Sequence, residues 1–140
     1  MQNNKNETGV VFVLLNDNSE ILMQLRDENS PKYPNTWVFP GGKKDDGEEY
    51  IDTVIREVKE EYCITLKKED CELATIYNIE NFVYNNHVYV CHIKGNDIPE
   101  INEGATAKWM KIGEIRALKL GYQQEVFLPE LIQFLTDNKR

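Results

Sequence analysis

Apolar residues run without a break from Gly9 to Leu15, GVVFVLL, which predicts a strand buried on both faces. The turn cluster Asn16-Asp17-Asn18-Ser19 and a second run, Glu20 to Arg26, make that strand one arm of a hairpin. Pro31 and Pro34 among polar residues mark Asp27 to Thr36 as a loop. Trp37-Val38-Phe39-Pro40 reads as a short strand stopped by proline and then by Gly41-Gly42. From about Glu48 to Tyr62 the period changes. Ile51, Val54, Ile55, Val58 and Tyr62 recur at helical spacing and form one apolar stripe.

Strand patterning returns at about Cys71, with ELATIYNIENFVY and then HVYVCHI on either side of Asn85-Asn86, which reads as a hairpin turn. Lys94 to Ala105 is a polar loop, Thr106 to Ile112 a last strand, and Gly113 to Leu118 a short helical turn. Gln123 to Asn138 reads as a closing helix that Pro129 either starts or kinks. Residues 1–8 read as a disordered lead-in and residues 9–140 as a single mixed α/β domain.

Composition narrows the function classes. Apolar residues make up 41% and charged residues 29% of the chain, an ordinary globular balance, and no apolar run approaches the length of a membrane span. Twenty-four acidic against 16 basic side chains give a net charge of −8, which repels a long polyanion, so binding to long nucleic acid is not expected. A small anionic substrate remains open if bound cations supply positive charge locally. Cys63, Cys71 and Cys91 form no C-x-x-C pair and suit reduced thiols in a cytoplasmic protein.

The helix behind the glycine turn carries the candidate chemistry. At about 100° per residue, Glu57, Glu60 and Glu61 share one sector beside the apolar stripe, and Arg56 reaches Glu60 at i,i+4. A solvated face is the ordinary reading of such a cluster. However, Glu48 and Glu49 add charge at the helix start that Arg56 and Lys59 do not offset. Gly42 and Gly47 have Walker-loop spacing, yet Glu48-Glu49 stand where Lys-Ser or Lys-Thr is required. Asp45-Asp46-Gly47 lacks the alternating ligands of a calcium loop. What remains is a set of hard oxygen donors on a helix beside a flexible Gly41-Gly42 backbone, an arrangement suited to magnesium.

Gly42, five residues, Glu48, seven residues and then Arg56-Glu57-Val58-Lys59-Glu60-Glu61-Tyr62-Cys63-Ile64 closely resembles the Nudix box of the Nudix hydrolases. Cys63 stands where that pattern has glycine, a position just past the helix end where positive φ is often needed. The W-V-F-P-G-G lead-in, a hairpin ending in Arg26, and Asn102-Glu103-Gly104 before Trp109-Met110 extend the likeness over essentially the whole chain.

The resemblance implies an α/β/α sandwich with a mixed central sheet and the box helix packed on it. It also implies cleavage of a nucleoside diphosphate linked to another moiety, with Mg2+ or Mn2+ and more than one ion in the substrate complex. Carried over, Glu57, Glu60 and Glu61 hold metal with the Gly41 carbonyl, Glu48 is an additional or supporting ligand, and Arg56 orients a carboxylate. Glu103 resembles a downstream glutamate that serves some members as base or extra ligand, with Glu100 a weaker candidate.

Arg26 reads as a bidentate phosphate contact or as a surface arginine closing a strand. Trp37 reads as a base-stacking ring or as core, and Tyr77, Phe82, Tyr84 and Tyr89 as core before base platform. Lys43 and Lys44 read as phosphate neighbours or as solvated turn lysines. His87 and His92, five apart on a strand, point to opposite faces and make no metal pair. The compact length and the E-G-x-x-x-x-W-M ending look like MutT-type enzymes, so the expected reaction converts a (d)NTP to NMP and pyrophosphate. Another nucleoside diphosphate derivative, a non-catalytic nucleotide-binding module and a metal-free acidic interaction domain stay open, as does monomer against homodimer.

Overall fold

The computed structural model describes residues 7–79, 84–95 and 106–138. The first run forms β1 (Glu7–Leu15), two residues longer at its start than the apolar pattern. Val10 to Leu14 are all buried, so both faces of this strand are covered. It turns through Asn16, whose side-chain Oδ1 accepts from the Asn18 and Glu20 amides at 3.0 and 2.9 Å, into β2 (Ile21–Leu25). The hairpin pairs only at its closed end, Leu15 opposite Ile21, and then splays.

Two short strands fill the splay: β3 (Trp37–Val38) beside β2, and β4 (Gly41–Lys43) beside β1. The other edge of β1 pairs in parallel with β6 (Tyr84–His92), from Glu7 opposite Tyr84 to Leu15 opposite His92. Beyond β6 lies β5 (Cys71–Ile79), antiparallel, with a bulge between Leu73 and Thr75. The outer edge of β2 takes β7 (Thr106–Met110). The sheet is therefore mixed.

Asn85 and Asn86 do not form the hairpin turn that their residue types predict. They lie inside β6, opposite Asn78 and Tyr77 on one side and Thr8 and Gly9 on the other. A ladder on both edges satisfies their backbone groups, which outweighs the local turn preference. Room also comes from Gly9, where a Cβ would stand 3.0 Å from Asn86 Oδ1.

Helix α1 (Tyr50–Tyr62) packs its stripe, with Thr53, Val54, Val58 and Tyr62 buried, on one face of the sheet against Val10, Phe12, Leu14 and Leu22. Each such aliphatic side chain taken fully out of water contributes roughly 1.5–3 kcal/mol. The opposite face carries Val11, Val13, Met23, Val88 and Val90. It is covered by α2 (Ile112–Arg116), a 3-10 stretch over Gly121–Phe127, and α3 (Leu128–Asp137). Helices on both faces of a mixed sheet make the expected α/β/α sandwich.

The closing helix starts later than the apolar pattern predicts. Tyr122 and Gln123 have φ of 56° and 54°, which breaks the chain direction, and Pro129 sits in the first turn of α3 rather than kinking it. Helix α1 ends at Cys63, whose φ of 59° and ψ of 27° are left-handed, with its amide bonded to the Lys59 carbonyl at 3.0 Å. Among the described residues, no helix is long and apolar enough to cross a membrane.

Candidate active site

The splay between β1 and β2 opens into a cleft of about 340 Å³. Pro40, Gly41 and Gly42 line one side, Arg26 and Tyr122 another, and Glu61 reaches it from α1. A larger groove of about 500 Å³, near Asn16, His92 and Phe134, holds none of the glycine-turn or helix carboxylates. Of the predicted site residues, Arg26, Gly41 and Glu61 line the first cleft.

Its floor is fixed by backbone contacts. The Phe12 amide donates to the Pro40 carbonyl at 2.9 Å, and the Lys44 amide donates to Thr8 at 3.0 Å. Both glycines are required by close approach. A Cβ on Gly41 would stand 2.3 Å from the Val10 carbonyl oxygen, and one on Gly42 would stand 2.3 Å from Glu57 Cδ. The Glu57 carboxylate thus occupies the space that a side chain at position 42 would take.

Arg56 is the cation at the centre of the carboxylates. Its Nε and Nη2 grip Glu48 at 2.8 and 3.0 Å, a two-point contact, while Nη1 reaches Glu57 and Glu60 at 3.2 Å each. Nη2 also donates to the Lys43 carbonyl at 3.2 Å, tying the helix to the end of β4. Glu48 accepts two further bonds, from the Asp45 amide at 3.0 Å and Thr53 Oγ1 at 2.9 Å. The Arg56 guanidinium, followed by the Asp45 amide, pulls the Glu48 carboxyl from 4.5 down to about 2. Glu48 in turn raises the Arg56 pKa. Glu48 and Arg56 are therefore both charged at neutral pH.

Glu60 is largely exposed, while Glu61 is half-buried with its Oε2 fully enclosed. Glu57, Glu60 and Glu61 supply the hard oxygen donors that magnesium or manganese takes, beside a glycine backbone that leaves room for an ion, so the donor set fits in kind. Among the described residues, no three His, Cys, Asp or Glu side chains stand together as a ready ligand set.

Arg26 lies in the cleft wall as its sequence position predicts. Its Nε donates to the Lys32 carbonyl at 2.9 Å, and its guanidinium stands 5.3 Å from the centre of the Tyr122 ring. Tyr33 packs on Tyr122 at 4.5 Å. Trp37 is half-buried against the core and is not among the cleft-lining residues. Lys43 is exposed and meets the site through its carbonyl, and Lys44 lies over the Tyr50 ring at 5.6 Å. Tyr77 is core at the cleft edge and Tyr89 packs against the α1-side core. Phe82, Glu100 and Glu103 lie outside the described residues, as does the side chain of Tyr84.

Among the polar and aromatic lining residues, Tyr122, Gln124, Asn86, Gln24 and Lys32 escaped the sequence reading. Gln124 lies in a segment that reads as helix, Asn86 in one that reads as turn, and Tyr122 falls between two predicted elements. Gly121 preceding an aromatic was the available signal, since a Cβ there would meet Val38 at 2.9 Å.

The family model described as the NUDIX domain matches residues 5–131. The chain belongs to the Nudix family. A Caenorhabditis elegans protein named as a nudix hydrolase is 23% identical over 133 residues, covering 91% of this chain. The chain spans about a third of that relative, 35% of its length. The MutT protein of Methanosarcina mazei superposes with a TM-score of 0.72 at 23% identity, covering 96% of both chains. A bifunctional NMN adenylyltransferase/ADP ribose pyrophosphatase of Francisella tularensis, complexed with AMP and a manganese ion, gives 0.68 at 24% identity. That match covers 96% of this chain and 42% of the other.

Proposed function

We propose that this chain is a metal-dependent Nudix pyrophosphohydrolase that cleaves a (d)NTP to NMP and pyrophosphate. The observation that carries the reading is that one cleft collects Gly41, Gly42, Glu61 and Arg26, with Glu57 packed on Gly42 behind it. Glu57, Glu60, Glu61 and the Gly41 carbonyl would hold Mg2+ or Mn2+, with Glu48 supporting the set through Arg56. Ions bound there lower the pKa of a coordinated water and offset charge on the phosphoryl oxygens.

The chain's own residues do the rest. Arg56 fixes Glu48 against the helix start and ties the carboxylate helix to the end of β4. Arg26, anchored through Nε to the Lys32 carbonyl, lines the cleft, where its guanidinium would suit a phosphate. The Tyr122 ring offers a flat apolar wall for a base. Glu60 or Glu103 takes the proton from the attacking water, a role that demands reach before basicity. The protein works in the cytoplasm as a monomer or homodimer.

A second reading, hydrolysis of another nucleoside diphosphate derivative, shares this site. It is favoured by the Tyr122 ring, which, as a flat wall, suits the base of any nucleotide derivative. Release of phosphate or pyrophosphate is to be measured over (d)NTPs, ADP-ribose and a dinucleoside polyphosphate, with Mg2+ and with Mn2+. Glu60→Gln and Glu61→Gln are expected to lose most turnover while keeping the wild-type melting temperature. Unchanged turnover in both variants overturns the site. No turnover of any substrate, together with nucleotide-raised melting, leaves a binding module instead.

A further inference from the structure

Cys71, the first residue of β5, lies directly opposite Cys91 of β6 in the antiparallel ladder. Facing residues in such a ladder have Cα atoms about 4.5–5.5 Å apart, inside the window of roughly 4.4–6.8 Å that a disulfide accepts. Both side chains point to the same face, into the core beneath α1 with Phe12, Leu14 and Leu66. Both are thiols in this structure. Their surroundings differ. Cys91 is 0% exposed, whereas Cys71 is 7% exposed and follows the turn Lys68–Asp70, whose lysine and glutamate face solvent.

We propose that Cys71 and Cys91 form an oxidation site, closing to a cross-strand disulfide when the protein meets a peroxide. The Cys71 thiol donates to the Lys67 carbonyl at 3.6 Å. The facing Cys91 thiol lowers the Cys71 pKa, and Cys71 together with burial raises that of Cys91. The two thiols therefore divide the chemistry.

Cys71, as thiolate, attacks one oxygen of hydrogen peroxide, breaking the O–O bond and leaving a sulfenic acid and one water. The Cys91 sulfur then attacks the Cys71 sulfur, expelling the hydroxyl, which leaves as a second water with the Cys91 proton. Two thiols and one peroxide become one disulfide and two waters. Burial keeps larger oxidants out, and the neighbouring thiol captures the sulfenic acid before it can go further. The bridge staples the start of β5 to the end of β6 and closes the chain between residues 71 and 91.

The test uses full-length protein carrying Cys63→Ser, which removes the exposed thiol from the reaction. Hydrogen peroxide is expected to lower the intact mass by two hydrogens. Non-reducing peptide mapping should join the peptides that carry Cys71 and Cys91. The melting temperature should rise by on the order of 5–10 °C, and a dithiol reductant should reverse it. Cys71→Ser in the same background should abolish the mass loss and the shift together. If both thiols still titrate after unfolding of the peroxide-treated protein, or carry added oxygen without a bridge, the proposal is overturned. Mapping on the unsubstituted chain decides the matter should the Cys71 variant fail to fold.

Discussion

Gln124 holds both backbone groups of Phe39: its Oε1 accepts from the Phe39 amide at 2.8 Å and its Nε2 donates to the Phe39 carbonyl at 3.0 Å. The pair is buried, and the two residues are 85 positions apart. A side-chain amide here replaces the strand partner that Phe39 lacks where β3 ends, just before Pro40-Gly41-Gly42. Gln124→Met keeps the volume and removes both bonds. It is expected to lower unfolding free energy by about 2–4 kcal/mol, since two buried peptide groups lose their partners. Urea denaturation measures it, and a change below about 0.5 kcal/mol would remove the clamp from the account.

Gly41 and Gly42 meet different obstacles, so alanine should act differently at each. At Gly42 the new methyl displaces a flexible carboxylate, that of Glu57, and the fold can absorb the change. Gly42→Ala should keep the wild-type melting temperature within a few degrees and reduce metal-dependent turnover about 10–100-fold. At Gly41 the obstacle is the Val10 carbonyl in the central strand. Gly41→Ala should unfold at markedly lower temperature, which circular dichroism would show. Equal melting temperatures for the two variants would contradict the geometry.

His87 stacks on Tyr50 with ring centres 3.5 Å apart, Lys44 lies over the far ring, and Ile76 and Val10 face it from β5 and β1. Among the described residues its Nδ1 is buried without a hydrogen-bond partner, and burial lowers its pKa below the ordinary 6.5. The unfolded chain therefore binds a proton near pH 6.5 that the folded chain refuses. Stability from a neutral His87 is fully present above that pH and declines as pH falls below it. Wild type should lose stability from pH 7.5 to 5.5 more steeply than His87→Gln, as measured by urea midpoints. Parallel profiles would count against it.

Cys63 holds a left-handed conformation that disfavours any residue with a Cβ. Cys63→Gly should raise unfolding free energy by about 0.5–1 kcal/mol and leave turnover unchanged, because glycine takes this φ without strain. A destabilised glycine variant in thermal melts would mean that the Cys63 side chain contributes more than its backbone costs.

The layout was legible wherever a pattern was local and repeated. The buried run of β1, the stripe of α1 and the i,i+4 contact between Arg56 and Glu60 all follow from spacing alone. Sequence could not show that Glu48 would receive the two-point grip of Arg56, since the seven intervening positions carry no fixed geometry until the turn is folded. Asn85-Asn86 and the segment from Gln123 misled for the same reason. Each is a local preference overruled by partners distant in sequence: β1 for the asparagines, and Tyr33 and Phe39 for the segment around Tyr122 and Gln124. The Trp37 ring went to the core because β3 carries it inward against Leu120 rather than towards the cleft.

The parallel ladder between β1 and β6 sets an order of events. A ribosome presents β1 well before β6, with apolar side chains on both faces, yet its long-edge partner begins only at Tyr84. Until then the strand has Ile21 and the short β4 as companions, with one edge open. Contacts so distant in sequence form slowly because a long loop must close before they repay it. The nascent chain thus carries an adhesive strand until β6 emerges, which makes that interval the time when a chaperone would be most useful.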